Sequence, residues 1–244
     1  MSPSTARQVQ DALARVALPE KAAIFQKFFK TGPGEYAEGD VYLGVTVPEQ
    51  RRIARLHREL PLEEVALLVR GPVHEHRFTG FVILVTRFDR ARGAERDRLF
   101  AFCREHLAGV NNWDLVDTVA PRLLGPYLLE HPELRSLLWD WARSARLWER
   151  RMAIMSTFAF IRAGDFADTL ALAEVLLQDE HDLMHKAVGW MLREVGNRDR
   201  AREEAFLDRH AARMPRTMLR YAIEKFPPAR REHYLKQRAR APGG

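Results

Sequence analysis

The chain has 244 residues, 46% hydrophobic and 30% charged, enough apolar material to bury roughly 70 to 75% of the surface its unfolded form would expose. That balance excludes the disordered and membrane classes, and no stretch approaches the ~20 apolar residues of a membrane span. The formal net charge is +6, and of 39 basic residues six are lysine and 33 arginine. Arginine forks phosphate oxygens and stacks on bases, which suits a nucleic acid partner, although arginine-biased codons would leave the same trace.

The single cysteine, Cys103, excludes an intrachain disulfide, and residues 1–10 lack the apolar run of a secretory signal, so the expected location is the cytoplasm. One domain is expected over 1–244, with flexible ends at 1–10 and 237–244. After residue 10, apolar residues recur at helical spacing, as in Leu62, Val65, Ala66, Leu68 and Val69, and again from Leu170 to Leu177. No segment alternates as a strand. Breakers punctuate the runs at Pro61, Gly71-Pro72, Gly93, Gly109, Pro132, Gly164, Gly196, Pro215 and Pro227-Pro228. Residues 31–44 (TGPGEYAEGDVYLG) hold four glycines and a proline and read as a long surface loop, a candidate mobile flap.

A repeat runs through the chain. Five segments open with a polar residue before an apolar run, at Arg77, Asp114, Arg151, Lys186 and Arg220, separated by 37, 37, 35 and 34 residues. Each interval holds a second amphipathic helix, near the period of HEAT-like helix pairs. The expected fold is all-α, helical repeats stacked into a curved solenoid whose second helices line the concave face.

Most candidate sites dissolve on inspection. His181, Asp182 and His185 superficially imitate a zinc motif, but the general-base glutamate is an aspartate and no third ligand follows. His74 and His76 read as surface residues near a helix start, and Cys103 as a small core residue. Phosphate-loop, nucleophile-elbow and dinucleotide motifs do not occur, and neither cofactor nor metal is expected.

The segment VNNWDLVDTVAPRLLGPYL, 110–128, stands apart. Asn111 or Asn112 can cap a helix that presents Trp113 and Asp117 on one face, flanking the stripe Leu115, Val116 and Val119. A bland role remains open, with Trp113 in the core and Asp117 capping or pairing with an arginine. Downstream, Arg151 holds the recurring position, and Trp190 shares a face with Arg193. In a stacked array these residues of successive second helices converge in one cleft.

At these residues the sequence resembles the AlkD family of bacterial alkylpurine DNA glycosylases, built from HEAT-like repeats. The resemblance runs through PEKA (19–22), LGVTVPEQRR (43–52), NNWDLVDTVAP, LWERRMAI, HKAVGWMLREVG and RYAIEKF (220–226). It implies a monofunctional DNA glycosylase without cofactor, acting as an expected monomer on duplex DNA that carries N3- or N7-alkylated purines. It gives Asp117 the task of stabilising the cationic sugar, and lines the lesion cleft with Trp113 and Trp190. The DNA backbone falls to Arg151 and Arg193, with Arg51 and Lys225 as weaker contacts. It further implies a lesion that stays stacked in the duplex. Two departures bear on substrate range: the 31–44 loop looks longer than in the best-known members, and Phe28 stands where some relatives carry tyrosine. The competing expectations are a non-catalytic binder of branched or damaged DNA, against which Asp117 counts, and a protein-binding scaffold, against which the recurring basic positions count.

Overall fold

A computed structural model describes residues 4–237. The all-α class holds: the described residues form helices, and their only extended pairing is an isolated parallel bridge between Val41 and Val73. They group into two compact units divided between Leu123 and Leu124.

The first unit holds α1 (Ala6–Ala14), α2 (Pro19–Phe28), α3 (Val47–Leu56), α4 (Leu62–Val69), α5 (His74–Phe88), α6 (Ala94–Glu105) and α7 (Trp113–Val119). Within the start expected to be flexible, Thr5 caps α1 and residues 6–10 form its first turns. Thr5 and Gln8 form a reciprocal capping box that satisfies two orphan N–H groups of α1. Glu64 on α4 then accepts the Ala6 N–H at 2.7 Å. Residues 238–244 of the other expected flexible end lie outside the described residues.

Helix α5 is the axis of this unit. It packs against α3, α4, α6 and α7, and its apolar run from Phe78 to Val85 is buried on every side. A helix surrounded in this way must also bury the polar residues of its first turn. His74, Glu75 and Arg77 are indeed buried. Helix α2 is the opposite case: none of its residues is buried, and Ile24 and Phe28 are 60% and 61% exposed.

The second unit holds α8 (Gly125–Glu130), α9 (Ser136–Ala142), α10 (Leu147–Arg162), α11 (Ala167–Val175), α12 (Asp182–Gly196), α13 (Arg200–His210), α14 (Arg216–Ala222) and α15 (Pro228–Lys236). The periodic positions Arg77, Asp114, Arg151, Lys186 and Arg220 fall early in α5, α7, α10, α12 and α14 or in their first two turns. Those second helices are neighbours within each unit: α5 packs on α7, α10 on α12, and α12 on α14. Gly189 makes the last contact possible, since a Cβ there would overlap the Met218 carbonyl.

Arginines join the pairs of the second unit. Arg135 bonds Asp165 and Asp168 at 2.9 and 3.0 Å, and Arg150 bonds Asp179 at 2.6 Å. Part of the arginine excess therefore serves the fold rather than a partner. Cys103 is fully buried, as expected of a core residue. His181 caps α12 by accepting the Leu183 N–H, which gives it a structural task.

Candidate active site

Asn112 caps α7, its side-chain oxygen accepting the Trp113 N–H at 2.8 Å while its amide donates to the Tyr42 hydroxyl. Leu115, Val116 and Val119 are fully buried, each contributing about 1.5 to 3 kcal/mol, and so fix the rotation of the helix. The opposite side of the same turn carries Trp113, Asp114 and Asp117, which together line a cavity of about 530 Å³. Phe25, Phe28, Phe29, Tyr42 and Phe78 make its remaining aromatic wall, and the exposed Arg51 of α3 stands at its edge. Trp113, Asp117 and Arg51 thus meet in one cavity of the first unit.

The rings form a continuous stack. Trp113 lies 5.3 Å from Phe29, Phe29 lies 5.0 Å from Tyr42, and Tyr42 lies 4.6 Å from His74, with interplanar angles of 21°, 13° and 23°. Behind the stack runs a chain of charges. Arg77 donates to Asp40 at 2.7 Å, His74 Nδ1 lies 3.3 Å from Asp40, and His74 Nε2 lies 2.8 Å from Asp114. His74 is 2% exposed, which corrects its assignment to the surface. Burial opposes its charge, but the Asp114 carboxylate and the bonds to Asp114 and Asp40 outweigh that and push the imidazole up to about 9. The same chain acts on Asp40: burial opposes ionisation, yet His74, Arg77 and Asn111 hold the carboxyl below its ordinary value. Tyr42 is driven the other way, its hydroxyl kept neutral by burial and by Asp114 and Asp40.

The 31–44 segment is half of what its composition implied. Residues 33–35 are exposed, but Ala37, Asp40 and Tyr42 are buried, and Glu75 accepts the backbone N–H groups of Leu43, Gly44 and Val45 at 2.9 to 3.2 Å. A segment pinned at Asp40 and at 43–45 is a wall of the cavity rather than a flap over it. Asp40 and Tyr42 were not singled out from the sequence, and His74 and Asp114 were named there without a role in the site. The signal available was the string VHEHR, four ionisable residues opening a helix too apolar to have a solvent face.

The remaining predicted residues belong to the second unit. Arg151 is 5% exposed and donates to the Leu183 carbonyl at 2.6 Å, joining α10 to the start of α12. Trp190 is partly buried; its indole N–H reaches Glu194 at 3.2 Å, and its ring faces Phe158 at 6.4 Å. Arg193 is paired with Glu224, and Lys225 is an exposed neighbour 3.8 Å from the same carboxylate. Of the recurring basic positions, Arg77 and Arg151 are buried, Lys186 pairs with Asp182 at 2.7 Å, and Arg220 is exposed. The expectation that all four present charge to a partner does not hold for the buried pair.

Fold and cavity together define an all-α protein of paired helices with an acidic, aromatic site on one second helix. Residues 9–226 match the family model described as DNA alkylation repair enzyme, and the chain belongs to that family. Its fold is similar to that of a solved structure described as a predicted DNA alkylation repair enzyme from Enterococcus faecalis. The TM-score is 0.67 at 16% identity, with 87% of this chain and 97% of that chain covered. No curated protein matches the sequence.

Proposed function

We propose that the protein is a monofunctional DNA glycosylase that hydrolyses the N-glycosidic bond of purines alkylated at N3 or N7 in duplex DNA. The observation that carries this reading is the placement of Asp117 one turn from Trp113 on the wall of the aromatic cavity. Membership of a DNA alkylation repair family supports it.

An alkylated purine of this kind is a cation and already a good leaving group. As the C1′–N bond breaks, its electron pair returns to the base, which departs neutral and leaves an oxocarbenium-like sugar. Water then bonds to C1′ and gives up a proton, with Asp117 as the acceptor. A carboxylate at ~4 Å and an effective dielectric of ~20 attracts a unit cation by ~4 kcal/mol, an upper limit near 10³-fold in rate. Aromatic faces add about 1 to 2 kcal/mol of attraction for an electron-poor nucleoside, a role for Trp113 and, in the second unit, Trp190. Arg193, Arg51 and Lys225 suit the phosphate backbone, and Arg151 joins them only by leaving its bond to Leu183.

The test is release of 7-methylguanine from a methylated duplex by wild type and Asp117→Asn, with duplex binding measured in parallel. Release by wild type and binding without release by the variant are expected. A folded wild type that binds but frees neither 7-methylguanine nor 3-methyladenine makes the protein a non-catalytic binder of DNA on the same scaffold.

A further inference from the structure

We propose that His74 is a positioning residue for the acidic turn of α7: joined to Asp40 on one ring nitrogen and to Asp114 on the other, it holds the turn that presents Trp113 and Asp117 to the cavity. The claim rests on the glycosylase reading for its catalytic consequence and on geometry for the rest.

Two carboxylates line the cavity on this helix, Asp114 and Asp117, and the family resemblance alone gave the sugar to the second. The structure separates their tasks. Asp114 accepts from His74 at 2.8 Å through one oxygen and from the Leu115 N–H at 2.9 Å through the other, so its carboxylate is committed to the protein. Asp117, one turn further on, keeps the sugar-facing role proposed for it above.

Both ring nitrogens of His74 meet carboxylate oxygens, and both are satisfied only when each carries a proton. The groups that face the ring are Asp40 and Tyr42 from the segment before α3, Asp114 from α7, and Arg77 from its own helix. Its neighbour Glu75 turns to the 43–45 amides, and the residue after α2, Phe29, contributes only a ring at 5.3 Å. Arg77 and His74 offset Asp40 and Asp114, so the four charges sum to zero while His74 is protonated. Loss of that proton leaves one excess negative charge behind the catalytic turn and breaks one of the two bonds. A neutral ring can donate to Asp40 or to Asp114, not to both. In the tautomer that donates to Asp40 the first turn of α7 loses the anchor that sets its angle to α5, and reacting groups displaced by about 1 Å lose up to roughly 100-fold in rate.

The experiment follows single-turnover release of 7-methylguanine from pH 6 to 10, with uncatalysed loss subtracted, for wild type and His74→Gln, alongside duplex Kd. Glutamine keeps one N–H donor but neither titrates nor bridges. The expected wild-type rate falls above a midpoint near 9, whereas His74→Gln is slower by roughly 10- to 100-fold at pH 7, lacks the alkaline fall, and binds the duplex within about twofold of wild type. An unaltered rate and alkaline fall in His74→Gln would overturn the proposal. A second readout is independent of activity. The Trp113 part of the emission, taken as the difference between wild type and Trp113→Phe, should shift with the same midpoint in wild type and not in His74→Gln. If wild type releases no base, the glycosylase reading fails while this shift still decides the positioning role. A Trp113 emission that ignores pH from 6 to 10 refutes it.

Discussion

The carboxylate of Glu75, on the first turn of α5, accepts the backbone N–H of Gly44 at 2.9 Å, thirty-one residues earlier in the chain. With the neighbouring amides of Leu43 and Val45 it satisfies three donors that the buried segment otherwise leaves orphaned. Each orphaned donor costs about 1 to 3 kcal/mol, so Glu75→Ala should destabilise the first unit by at least ~3 kcal/mol. Gly44 sits at φ +82°, and a Cβ would overlap the Leu18 carbonyl. Gly44→Ala should therefore be as damaging. Urea unfolding followed by circular dichroism measures both, and a loss under 1 kcal/mol in either would mean that the segment re-pairs with water.

His74 makes stability depend on alkaline pH. Its folded value of about 9 lies above the ordinary 6.5, so its contribution is complete below pH 6.5 and is lost as pH rises through 9. The size is roughly 2 to 4 kcal/mol. Wild type should lose more thermal stability between pH 6.5 and 9.5 than His74→Gln does. Parallel melting curves would show that the buried ring has no such linkage.

Glu203 adds a second linkage of the same sign. It is 1% exposed, packed against Gly196, and burial pushes its carboxyl up to about 8 despite Arg200 and Arg193. Its proton stabilises the fold below the unfolded value of 4.5, and that contribution declines as pH rises through 8. Glu203→Gln should lose less melting temperature between pH 6 and 9 than wild type does, keeping only the His74 part of the decline. A variant that tracks wild type over that range would place the ionised carboxylate comfortably in the fold.

A phosphate that reaches Arg193 must compete with Glu224. If Arg193 touches a phosphate, Arg193→Ala should weaken duplex binding about equally across sequences and reduce the salt slope by roughly one unit. Glu224→Gln should do the reverse and tighten binding severalfold, since it removes a rival anion. Binding isotherms at several salt concentrations decide this. Insensitivity of both variants would take Arg193 out of the footprint.

Selectivity tests the chemistry itself. A neutral lesion needs its leaving group protonated, and no group assigned a role here supplies an acid: both ring protons of His74 are held by Asp40 and Asp114, Asp40 is itself held ionised, and Tyr42 keeps its proton far above its ordinary range. Uracil placed in the same duplex context should be excised far more slowly than 7-methylguanine. Comparable rates would require a proton donor that this mechanism lacks.

Much of the fold was legible because it is written in periodicity. The apolar run from Leu62 to Val69 is α4, and the polar starts at Arg77, Asp114, Arg151, Lys186 and Arg220 mark five helices that pack in sequence within each unit. Trp113 and Asp117 were legible because helical geometry alone puts them on one face. The charges behind them were not. Asp40 and His74 lie 34 residues apart, and a formal charge in a sequence carries no sign of burial, so Asp40 read as loop and His74 as surface. The burial of Arg77 and Arg151 was hidden for the same reason, since an arginine that bonds a carbonyl and one that waits for phosphate look alike until the neighbouring helix is in place.

The ring stack that begins at Trp113 also has an optical consequence. Coplanar chromophores about 5 Å apart couple their transitions, so the indole of Trp113 with Phe29 and Tyr42 should dominate the near-ultraviolet dichroism of a chain with five tryptophans. Anything that enters between those rings, or tilts the turn that carries the indole, changes the sign and intensity of that band. The cavity thus carries its own spectroscopic label, readable without a dye.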